Sequence, residues 1–89
     1  VEVIEAQIKD IFRRRRNIRF REMADILIKA GFAMRQQKRG GSHYVFKHPK
    51  LEMFVVLVTH GKNDVLPEYQ VLKAMGALER LSQHKDTEQ

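Results

Sequence analysis

Eighty-nine residues supply one small domain with a single core, and the absence of cysteine excludes a disulfide framework and any thiolate metal site. The net charge of +6 is uneven, with 13 Lys and Arg against 5 Asp and Glu in residues 1–50 but 4 against 6 in residues 51–89. That asymmetry points to a polyanion, or an acidic protein, as partner of the amino-terminal half.

The apolar run Phe54–Val58 is far too short to cross a bilayer, and no signal peptide is visible. A chain that starts on Val1 instead of Met is expected to be trimmed. Lack of cysteine fits a reducing cytoplasm, which is the expected location, and no membrane is expected as a partner.

In chain order, Ile4, Ile8, Ile11 and Phe12 recur at helical spacing, opposite Glu2, Glu5, Lys9 and Asp10. Residues 2–16 are therefore predicted to form an amphipathic helix. Acidic residues near its start and Arg13 to Arg16 near its end suit the helix dipole, and Asn17 breaks the pattern. A second helix is predicted over 19–30, where Phe20, Met23, Ala24, Leu27 and Ala30 keep the spacing. Gly31 is its natural stop, because glycine accepts a left-handed conformation, and Phe32 stands where a hydrophobic contact closes such an end.

Three strands follow at 32–37, 43–47 and 52–59. They are joined by Lys38-Arg39-Gly40-Gly41 and by His48-Pro49-Lys50, joints short enough to imply antiparallel hairpins. In the middle strand Tyr44 and Phe46 share one face while His43 and Val45 share the other. The third strand is apolar almost throughout, so alternation does not say which of its faces is inside. Pro67 opens a last helix, with Glu68 in its first turn. Its apolar positions, Tyr69, Leu72, Ala74, Met75, Leu78 and Leu81, end near Gln83, before a polar tail expected to fray. The expected class is α+β, a three-stranded antiparallel sheet packed with helices in the order α-α-β-β-β-α.

The segment Gly40-Gly41-Ser42-His43 delivers a proton-transfer residue from a glycine turn to the start of a strand. Arg35, Lys38, Arg39 and Lys47 flank it, so an anion is the expected visitor. Cleaving RNA without a metal requires deprotonating the 2′-OH, protonating the departing 5′-oxygen and stabilising charge on phosphorus. A histidine can act as base or acid. The N–H groups around Gly41 and Ser42, with Lys38, Arg39 or Lys47, can stabilise the charge. The competing reading is a histidine that only hydrogen-bonds at a strand edge. Ser42 is read as a phosphate-binding or turn-stabilising residue and not a nucleophile, because neighbours on a strand point to opposite faces. Tyr44, alternating with Phe46, is assigned to the core.

No metal or cofactor is expected: His48, His60 and His84 fall in different elements, and no carboxylate or Cys completes a ligand spacing. His60, next to Gly61, reads as a turn or sheet-edge residue. Four consecutive arginines on a helix splay over every side. Arg13 to Arg16 are therefore a solvated helix end, an RNA contact made through Arg14 and Arg15, or a docking point for an acidic protein.

Several segments occur in a telling order. Phe20-Arg21-Glu22-Met23 opens a helix, and Lys29-Ala30-Gly31-Phe32 and Arg35-Gln36 follow. Gly41-Ser42-His43-Tyr44-Val45-Phe46-Lys47-His48-Pro49 comes next, then Val58-Thr59-His60-Gly61 and Leu66-Pro67-Glu68-Tyr69-Gln70-Val71. Over residues 18–82 the chain thus resembles the HicA (YcfA-like) family, the mRNA interferase toxins of bacterial toxin–antitoxin pairs. The resemblance implies a fold similar to double-stranded-RNA-binding domains, with helices on one face of the sheet. It also implies mRNA cleavage that depends on the motif histidine, here His43, and inhibition by a HicB-like antitoxin. On this basis residues 1–17 are an amino-terminal helical extension and residues 18–89 the HicA-like domain. The turn before Gly41-Ser42-His43 is longer than is usual in the family. Two further readings are a non-catalytic nucleic-acid-binding module, of double-stranded-RNA-binding or winged-helix type, and a pure protein-interaction domain.

Overall fold

Apolar stripes from three helices close over one face of a three-stranded sheet. The computed structural model describes residues 2–36, 42–61 and 63–87. Its order is α1 (Glu2–Arg13), α2 (Phe20–Lys29), β1 (Ala33–Gln36), β2 (His43–Lys47), β3 (Phe54–Val58) and α3 (Glu68–Thr87). The class is α+β, and the strands lie antiparallel in the order β1-β2-β3. No helix among the described residues is long and apolar enough to cross a membrane.

Helix α1 stops at Arg13, short of the expected residue 16. The backbone N–H groups of Arg14, Arg15 and Asn17 each reach a carbonyl three residues back, which tightens the chain into a turn. That turn brings Ile18 into the core, where it is completely buried. The stretch after it pairs with the stretch leading into α3. Leu66 N–H donates to the Ile18 carbonyl, and Phe20 N–H to the Asp64 carbonyl. Helix α2 therefore starts without a side-chain cap, one of its orphan donors being met by a distant backbone carbonyl.

The end of α2 follows the expected chemistry. Gly31 has φ +106°, its N–H donates to the Ile28 carbonyl, and Phe32 N–H donates to the Leu27 carbonyl. These two bonds make a Schellman end, and Leu27 and Phe32 are both buried. A Cβ on Gly31 would also come within 2.9 Å of His48 Nε2. His48 is held there on two sides, because its Nδ1 accepts the Lys50 N–H and its ring meets Phe32 edge-on at 5.1 Å. Gly31→Ala is thus expected to lower stability by about 2 kcal/mol, roughly 10 °C in Tm. An unchanged thermal melt would show that neither the backbone conformation nor the His48 contact constrains this position.

Pairing with β2 resolves the face of β3 that alternation left open. Val55 and Leu57 are buried with Phe46, and Tyr44 packs on Phe20 with ring centroids 4.8 Å apart. Phe54, Val56 and Val58 point the other way. Along the outer side of β3, the buried Gln70 accepts the Val58 N–H through Oε1 at 3.1 Å and so satisfies a ladder donor.

Helix α1 is no appendage in packing terms. Ile11 and Ile18, on either side of residue 17, lie in one core with Leu78 and Leu81 of α3, and Ile4 and Ile8 pack against it. Helix α3 runs to Thr87, beyond the expected end near Gln83. The apolar pattern ceases at Leu81, but no Gly or Pro follows to break the backbone ladder.

Candidate functional site

Residues directly opposite in an antiparallel ladder share a face, and every second residue along a strand returns to it. The register places His43 opposite Val58, Val45 between Arg35 and Val56, and Lys47 between Ala33 and Phe54. Since Tyr44 and Phe46 turn towards the helices, all of these turn away from them. The structure therefore brings Arg35, His43 and Lys47 together on the open face of the sheet, each exposed. A shallow hollow of about 230 Å³ lies among Ala33, Met34, Arg35, Val45 and Lys47.

His43 is the first residue of β2. Ser42 precedes it in a turn, anchored by its carbonyl, which accepts the Thr59 N–H at 2.9 Å. The expectation that Ser42 and His43 diverge assumed that both lie in the strand. Because Ser42 is in the turn, its Oγ instead reaches to 3.4 Å from His43 Nδ1. That distance is long for a hydrogen bond, sufficient to bias the ring but not to make a tight pair. It leaves Nε2 on the opposite side of an exposed imidazole. Among the described residues no carboxylate bonds to the ring, so none of them completes a triad with Ser42 and His43.

His60 lies in a bend after β3, as its sequence context suggested. Its backbone N–H donates to Asp64 Oδ2 at 3.3 Å, and Thr59 Oγ1 accepts the Gly61 N–H at 3.1 Å. Among the described residues no three His, Cys, Asp or Glu side chains are grouped to hold a metal ion.

The arginine run is elsewhere, in the helical layer, and its charges are met within the chain. Arg13 and Arg14 pair with Asp10, Arg14 also pairs with Glu22, and Arg15 and Arg16 grip the two oxygens of Glu68 at 3.0 and 3.1 Å. The Arg15 guanidinium also lies over the Phe12 ring, 4.3 Å from its centroid. These contacts lash the end of α1 to the starts of α2 and α3. Hydrogen bonds from Arg15 and then Arg16 hold the Glu68 carboxyl below its ordinary range. Arg14 and then Arg13 do the same for Asp10, while Glu22 and then Asp10 hold Arg14 more firmly in its charged form. Arg14 and Arg15, two of the expected RNA contacts, thus already have carboxylate partners that a phosphate would have to displace.

Lys38, Arg39 and Gly41, with Gly40, lie outside the described residues. Sequence reasoning passed over Phe54, which is 54% exposed with the Lys47 ammonium 6.0 Å from its ring centroid. The signal was present, since any register that buries Tyr44 and Phe46 turns one of two β3 faces outward. The choice between the faces needed the pairing itself.

Comparison with protein-family models, with curated proteins and with solved structures gives no match for this chain.

Proposed function

We propose that this protein is a HicA-like toxin component, an endoribonuclease that cuts single-stranded mRNA in the cytoplasm, with His43 as its proton-transfer residue. One observation carries the reading. An exposed histidine stands at the head of a strand, on the same open face as Arg35 and Lys47. In the proposed step, His43 Nε2 takes the proton of a ribose 2′-OH, whose oxygen then bonds to the adjacent phosphorus. The bond from phosphorus to the 5′-oxygen breaks, and the departing oxygen takes its proton from water at this open face. Arg35 and Lys47 hold the phosphate backbone by charge, and Ser42 steadies the ring from the Nδ1 side. A HicB-like antitoxin covering this face would block access to His43.

The expected result with long RNA in excess EDTA is continued cleavage, giving 2′,3′-cyclic or 3′-phosphate ends. Activity lost in EDTA and restored by Mg²⁺ or Mn²⁺ overturns the metal-independent mechanism. One observation favours the non-catalytic module instead: among the described residues only Ser42 hydrogen-bonds to the His43 ring. RNA bound but never cut by the purified protein would establish that reading.

A further inference from the structure

We infer that the outward face of β3 is a base-stacking platform, on which Phe54 receives an unpaired base of the same RNA strand that His43 acts on. The inference rests on the RNA reading above and adds a residue and a substrate requirement to it.

The argument begins with how the open face is divided. Arg35 and Lys47 place cations in its β1 and β2 columns, with His43 at the head of the second, whereas the β3 column is Phe54, Val56 and Val58. A charged lane and an apolar lane therefore run side by side along the strands. A single strand of RNA has the same division, with phosphates along one side and unstacked base faces along the other. None of the three strands contains Asp or Glu, so nothing within them repels a polyanion. That charge balance favours RNA over a neutral protein surface as the occupant.

Phe54 is the one aromatic side chain in the apolar lane. A single exposed Phe is ordinary on a protein surface. This one stands opposite Lys47 in the register, with the Lys47 ammonium over its ring, so a base that stacks there takes the ammonium's place and turns it to the adjacent phosphate. His43 and Lys47 are separated by four steps of β2, about 13 Å of strand. An RNA segment seated on Phe54 can thus run past Val45 and Val56 to His43 within a few nucleotides. A paired base cannot offer its face to a side chain, so the platform selects unpaired RNA.

The test uses the whole protein and a fluorescein-labelled 2′-O-methyl oligonucleotide of unpaired sequence, which lacks the attacking hydroxyl and so reports binding without cleavage. Fluorescence anisotropy should show tighter binding to this strand than to the same strand annealed to its complement. Phe54→Ala should weaken binding about tenfold, the loss of one stacked base at 1.4 kcal/mol per factor of ten. Its salt dependence should be unchanged, because no cation is removed. Phe54→Tyr should restore affinity, and Phe54→Leu, which keeps apolar area without a π-face, should not. Ile28→Ala, an exposed apolar residue on α2, should bind as the wild type does.

Equal affinity of the wild type and Phe54→Ala overturns the platform while leaving the RNA reading standing. A wild type that neither binds this strand nor cuts RNA overturns both. A Phe54→Ala variant that changes its sedimentation but not its RNA affinity assigns the face to a protein contact instead, and again the platform falls.

Discussion

His43→Ala is expected to reduce RNA cleavage by at least ~10²-fold and up to ~10⁴-fold, the usual contribution of a positioned acid or base. RNA affinity should remain close to that of the wild type, because the phosphate contact proposed for this face comes from Arg35 and Lys47. Stability should move by no more than about 0.5 kcal/mol, since the imidazole is exposed and its single described hydrogen-bond contact, with Ser42, is long. His60→Ala is the matched control. Its side chain follows β3 in a bend where the structural bonds come from its backbone N–H and from neighbouring side chains, so activity should be retained. Cleavage rate, affinity and melting temperature measured on both variants separate chemistry from folding. A His43→Ala protein that cuts at near the wild-type rate removes the catalytic assignment, and one that unfolds makes His43 structural.

The second large effect is expected far from that face. Ile11→Ala should cost about 2–5 kcal/mol, because the side chain is fully buried and its removal leaves a cavity between α1 and the rest of the core. A domain of this size has only about 5–15 kcal/mol in total, so Tm should fall by roughly 10–25 °C. Phe12→Ala, one residue on, should cost less than about 1 kcal/mol. The residue is 49% exposed, and the Arg15 guanidinium lies over its ring. Similar melts for the two variants would show α1 to be peripheral, whereas a wide gap makes it integral to the fold.

What the sequence disclosed depended on how local the governing chemistry is. The stop at Gly31 was legible because a helix end, a glycine and a following aromatic lie within a few residues of one another. The grouping of His43 with Val45, opposite Tyr44 and Phe46, was legible because strand periodicity needs no knowledge of neighbouring strands. Asp10 lies three and four residues before Arg13 and Arg14, within helical spacing, but the other partners of the arginine run were not legible. Glu22 and Glu68 come from different helices, and Glu68 lies 53 residues from Arg15, beyond any spacing rule. Four arginines in a row therefore read as a solvated helix end, an RNA contact or a docking point, when each already has a carboxylate. His48 was read as part of a hairpin joint and set aside as a metal ligand, yet it closes over Gly31, a contact set by how α2 meets the β2–β3 turn. The start of β2 at His43 was legible from the alternation, whereas the approach of Ser42 Oγ to His43 Nδ1 was not, because it depends on the path of the turn before the strand.

The docking of α1 on α3 also governs the order of events during synthesis. Helix α1 packs against α3, which is made later, so Ile4, Ile8 and Ile11 stay uncovered while the chain from Arg13 to Glu68 is produced. At ~5–20 residues per second that interval lasts roughly 3–11 s. During it the sheet and α2 can assemble, but the core cannot close, and Arg15 and Arg16 have no Glu68 to hold. Completion of the fold is thus timed by the arrival of α3, and a chain interrupted before it leaves the apolar stripe of α1 uncovered.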